Sequence, residues 1–192
     1  AGAYHFPKAI ELLNTGTVWD FSISYGEYPF GYETLLTLAA MPTHSGSLFG
    51  AAHLLTGLFL LLVIWALLRR YTGLSAGLTL LLTSLLLTFG TLLGLGRTPW
   101  WIYRSLLDTI GKNDLFAGAA LLAVLFYAPV GPAENRRAWH PTAMALATFI
   151  AAAVKPSALL AAAPLWVIAA LELWRTAGFK TALRRLLLCG LI

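Results

Sequence analysis

Charge is scarce in this sequence, and cysteine is nearly missing from it. Thirteen Lys and Arg and eight Asp and Glu make up only 11% of 192 residues, against about 25% in ordinary soluble domains. With 59% of the residues hydrophobic, so few charges point away from a water-soluble domain and toward a membrane protein. The single cysteine, Cys189, stands in an apolar run, which excludes an intrachain disulfide and a cysteine metal cluster. No GxxxxGK pattern occurs, so nucleotide hydrolysis has no support. Residues 1–47 lack the ordered charged start, apolar run and cleavage site of a signal peptide. The net charge of +5 sits in short clusters beside apolar runs, the place of membrane orientation signals rather than of a nucleic-acid surface.

What is present is a set of long apolar runs. Leu48 to Leu68 carries no charge over 21 residues, about 30 Å of helix and one hydrocarbon thickness. Arg69 and Arg70 follow it and, because Lys and Arg favour the cytoplasmic side, orient this span to enter from outside and leave inside. Residues 1–47 are then an external loop, and 48–192 a transmembrane helical region. Further spans are expected over Leu74 to about Gly96, Asp114 to near Val130, and Ser157 to Leu173. Thr142 to Val154 is apolar over only 13 residues, so it either begins earlier, near Arg137, or is a half-span. Lys155-Pro156 interrupts it. The fold class expected is an all-α polytopic transmembrane bundle of about five spans, with amphipathic interfacial helices in the first external loop.

That loop divides into two short helices. Pro7 suits the first turn of a helix, Phe6, Ala9, Ile10 and Leu13 recur at helical spacing, and Gly16 is the stop; Leu35, Leu36 and Ala39 repeat the pattern over about Tyr32 to Ala40, before Pro42. Thr17 to Pro29 reads as a loop. On this topology Arg69, Arg70, Arg136, Arg137, Arg175, Lys180, Arg184 and Arg185 are inside, while Lys8, Arg97, Arg104, Lys112 and Lys155 are outside. The outside five run against the usual bias, which makes them functional candidates. With no Met at Ala1, and with LLLCGLI after Arg185 reading as the start of another span, the chain is expected to be cut at both ends.

Several short motifs resemble, in their order, the GT-C glycosyltransferases, polytopic enzymes that include the protein O-mannosyltransferases and lipid A aminoarabinose transferases. They are Ala3-Tyr4-His5-Phe6-Pro7, Tyr28-Pro29-Phe30-Gly31-Tyr32-Glu33, Lys112-Asn113-Asp114 and Lys155-Pro156. The resemblance implies an inverting transfer of a sugar from a polyprenyl-phosphate donor to a glycan, lipid or protein acceptor. The reaction would face outward from a bacterial-type inner or plasma membrane. It implies no tightly bound cofactor and leaves the use of a divalent metal open; partners would be membrane lipids, the lipid-linked sugar and the acceptor, with no nucleic acid. The family's principal base, an external acid, would fall ahead of Ala1, so these 192 residues alone are expected to be inactive.

The resemblance also assigns roles. Asp114, Glu33, His5 and Tyr4 would shape the catalytic and acceptor side, and Lys155, Arg104 and Lys112 would contact the lipid phosphate. Each has a plainer alternative. Asp114 suits the first turn of a helix, Lys155 can snorkel to the interface, Arg104 and Lys112 can face headgroups, and Glu33 can pair with an outer cation. The aromatic residues around Tyr4 to Tyr32 suit sugars, polyprenyl chains or an ordinary interfacial belt. His44 and His53 show no ligand spacing. A secondary transporter, with Lys155-Pro156 as a discontinuous helix, and a non-catalytic membrane subunit are the alternative functions.

Overall fold

A computed structural model describes residues 5–17, 31–93, 113–130 and 140–190. These form eight helices, α1 (His5–Thr15), α2 (Gly31–Ala40), α3 (Phe49–Thr72), α4 (Ala76–Leu93), α5 (Asn113–Tyr127), α6 (Pro141–Val154), α7 (Ala158–Ala177) and α8 (Phe179–Gly190), plus a 3-10 turn at Gly46–Leu48. Among the described residues there is no strand. Tyr4, Arg104 and Lys112 lie outside them, as do the loop expected before Phe30 and most of the outer loop before Asn113.

The helix ends follow from local chemistry. Gly16 takes a φ of 67°, a left-handed stop that only glycine reaches without cost. The first long helix runs four residues past Leu68, because Arg69 and Arg70 fall in its last turn, where cations suit the dipole. Gly73, at φ 65°, ends it. His140 caps α6, its Nδ1 accepting from the Ala143 amide at 3.3 Å, with Pro141 behind it. That helix therefore starts after Arg137 rather than near it, and its 14 residues make about 21 Å, the half-span option. Ala128-Pro129 stops α5 at 15 residues.

Among the described residues two helices are long and apolar enough to cross a membrane, Gly46–Thr72 and Ala158–Ala177; three further apolar helices are shorter over their described residues. About five spans are expected from the apolar runs, one of them open as a half-span; among the described residues two meet the length and hydropathy of a full span.

The packing between these helices is made of small side chains. Ala123, Ala128, Ala147, Ala162 and Ala169 cluster with Val124 and Met144 between α5, α6 and α7. Large apolar side chains lie on the outside, with Leu54 65% and Leu160 81% exposed. Soluble cores bury leucine and isoleucine; small residues between helices are the rule where the surroundings are themselves apolar. Hydroxyls on α4 bond back to their own backbone, Thr79 to Ser75 O and Thr83 to Thr79 O, both at 2.8 Å.

Directions along the chain alternate. Arg70 donates to Ala128 O at 3.2 Å and Tyr71 to Val130 O at 3.3 Å, so α3 and α5 end together. The His140 amide meets Tyr127 O, which starts α6 at that same end. Trp166 Nε1 donates to Thr148 Oγ1 at 3.0 Å, and Ala151 and Ala158 share a cluster with Ala120. Lys155-Pro156 is therefore the corner of an antiparallel helix hairpin, not a break inside one span.

Candidate functional site

The starts of α1, α2, α3 and α5 and the end of α6 meet at the end of the molecule opposite Arg70. Gly31, the first residue of α2, lies so close to α6 that a Cβ on it would sit 2.7 Å from Ala153 C and 2.9 Å from Val154 N. Glycine is required there by close backbone approach. Tyr32 follows, fully buried with Leu36, Phe49, Ala117 and Val154. Its ring meets His5 edge-on, centroids 5.6 Å apart, and faces Phe116 at 6.3 Å. One tyrosine thus touches both the N-terminal helices and the apolar helices.

Two acid–base contacts flank Tyr32. On one side His5 Nδ1 lies 2.6 Å from Glu33 Oε1, the side chains 3% and 2% exposed. Lys8 Nζ stands 4.0 Å from the same oxygen and is also buried. Glu33 is in the first turn of α2, where the backbone N–H groups favour a carboxylate. Its second oxygen, Oε2, is buried and has no hydrogen-bond partner among the described residues. One turn further along, the Thr37 hydroxyl bridges Glu33 O at 2.8 Å and Ala9 O at 3.0 Å, tying α1 to α2.

On the other side Lys155 Nζ donates to Asp114 Oδ1. Asp114 stands in the first turn of α5 and Lys155 caps α6, its own amide bonded to Ala151 O at 2.8 Å. This pair is open to its surroundings, the side chains 50% and 60% exposed. Below Asp114 a cleft of about 550 Å³ opens between α3, α5 and α7, its other walls apolar and including Leu60, Leu115, Gly118, Leu122 and Pro164.

Of the seven residues singled out in the sequence, the structure describes four, and all four are at this end: His5 and Glu33 in contact, Asp114 and Lys155 in contact. Lys155 was expected to face a phosphate, and it holds Asp114. Tyr4, Arg104 and Lys112 lie outside the described residues. The first helix, expected to be an amphipathic one lying along a membrane surface, buries His5 and Lys8 beside the Glu33 carboxylate.

Sequence reasoning made Lys8 a functional candidate only as one of the five outside cations and gave it no partner. The signal was available: His5, Lys8 and Ala9 recur at i, i+3 and i+4, a face of their own beside Phe6, Ile10 and Leu13. The cleft below Asp114 had no sequence signal, since its walls come from three helices. Among the described residues no three His, Cys, Asp or Glu side chains converge as metal ligands would. No protein-family model, curated protein or solved structure matches the chain.

Proposed function

We propose that the chain is part of a multi-pass membrane glycosyltransferase of the GT-C type, using a polyprenyl-phosphate sugar and acting at the outer face of a bacterial-type inner or plasma membrane. The observation that carries the reading is the joining of an exposed lysine–aspartate pair to an apolar cleft. A lipid-linked phosphate needs those two things side by side, a cation for its head and a dry channel for its tail. Membrane embedding itself is supported by the inverted packing, alanine inside and leucine outside, and by the two long apolar helices, of which only 12% and 22% of the apolar windows are buried.

In this mechanism Lys155 turns from Asp114 to the donor phosphate when the donor arrives, and the hydrocarbon chain takes the cleft between α3, α5 and α7. Asp114, released, accepts a hydrogen bond from the acceptor hydroxyl. Glu33 with His5 holds α1 and α2 across the top of Tyr32, shaping the acceptor side. An external carboxylate deprotonates the acceptor hydroxyl; its oxygen attacks the anomeric carbon and the lipid phosphate leaves with the bonding pair, so the anomeric configuration inverts.

The test is transfer of radiolabelled sugar from a polyprenyl-phosphate donor by membranes containing the complete gene product. Asp114→Asn should lower the turnover number at least about a hundredfold, in the range of a lost acid–base or electrostatic contact. Wild-type membranes that release no sugar from any lipid-linked donor, or an Asp114→Asn protein as active as wild type, would overturn the reading.

A further inference from the structure

The opposite end of the molecule carries a second charged surface that the transferase reading does not use. After Gly178, whose φ of 78° turns the chain, α8 rises alongside α7: Leu186 and Cys189 line a pocket with Thr148, Ala162 and Trp166, and Ala182 is 4% exposed. One side of α8 is therefore packed. The remaining surface has two adjacent stripes. Phe179, Leu183 and Leu187 recur at i, i+4 and i+8, exposed by 62%, 46% and 61%. Beside them Lys180 and Arg184 stand one turn apart, with Arg185 further round, and all three are exposed.

The stretch FKTALRRLLLCG contains three cations and no acid. Arg175, the nearest cation on α7, is bonded to Glu172 at 3.2 Å, so the local acid is engaged within α7. Trp174, 57% exposed, meets Phe179 edge-on with centroids 6.1 Å apart, placing two aromatic rings at the corner. Such a corner suits the headgroup level of a bilayer.

We infer that the first two turns of α8 form a binding site for an anionic phospholipid. Lys180 and Arg184 meet its phosphate from neighbouring turns, Arg185 adds charge, and an acyl chain lies along Phe179, Leu183 and Leu187. Charge complementarity selects the occupant. A zwitterionic lipid brings its own cation to a helix that carries three cations and no acid, whereas phosphatidylglycerol brings only negative charge. The proposal rests on the membrane-embedded reading above and is independent of sugar transfer.

The experiment is electron spin resonance of spin-labelled phosphatidylglycerol and phosphatidylcholine in vesicles of those two lipids containing the protein, after flotation has established that the protein is in the bilayer. Wild type should immobilise phosphatidylglycerol about fivefold in preference to phosphatidylcholine, the effect of roughly one well-placed cation. The preference should fade at 1 M salt. Lys180→Gln, Arg184→Gln and Arg185→Gln together should abolish it, and Arg184→Lys with Arg185→Lys should retain it. Floating wild type without preference, or an equal preference in the triple Gln protein, overturns the lipid site alone. Wild type that fails to float overturns the membrane reading with it.

Discussion

Two acid–base pairs stand on either side of Tyr32, and they differ in what water can reach. His5 and Glu33 are almost wholly buried, with Lys8 beside them, whereas Asp114 and Lys155 are each half exposed or more. A buried pair is costly to break, because removing one partner strands the other in an apolar setting, while an exposed pair contributes little to stability. The same chemistry therefore serves two ends. The buried pair fixes where α1 and α2 sit; the exposed pair can exchange its partner for a ligand at small cost.

That contrast gives an ordered set of expectations. Glu33→Ala should have the largest effect, about 3–5 kcal/mol of lost stability, because His5 and the buried Lys8 amine lose this carboxylate. Thermal melting in detergent micelles reads it, and a melting temperature within a degree of wild type would make the buried cluster irrelevant to folding. Gly31→Ala comes next, at about 1–3 kcal/mol, since its methyl group must displace the Ala153 backbone. Thr37→Val should cost about 1 kcal/mol through the lost bridge to Ala9 and Glu33. Asp114→Asn should change stability least, by about 0–1 kcal/mol, while carrying the largest loss of transfer.

The helices were legible where a single residue decides an end. Pro7 with Gly16, and Pro42 after Ala40, bracket α1 and α2 closely, because proline and glycine act locally. The half-span over Thr142 to Val154 was legible as one of two options, and His140 with Pro141 decided it. The apolar run at Asp114 reads as a span by hydropathy, yet Pro129 ends its helix, which covers 15 described residues.

The pairing of charges was another matter. Asp114 and Lys155 are 41 residues apart and His5 and Glu33 are 28 apart, and nothing in one sequence says which acid faces which base. Periodicity counts apolar residues, so it drew the apolar face of α1 and was blind to a buried polar one. Glu33 as the partner of an outer cation had been one of two readings, and Lys8 Nζ does stand 4.0 Å from it. The hairpin at Lys155-Pro156 was hidden for the same reason, since a helix break and a helix corner look alike until Thr148 is seen beside Trp166.

On the proposed reading the exposed pair, and not the buried one, meets the donor. Binding of undecaprenyl phosphate to the complete gene product in nanodiscs, wild type against Lys155→Gln, tests it most directly. The dissociation constant should rise about tenfold or more, the worth of one charge-assisted hydrogen bond, with the melting temperature unchanged. An unaltered dissociation constant in Lys155→Gln would contradict the claim and leave the Asp114–Lys155 pair as a structural tie between α5 and α6.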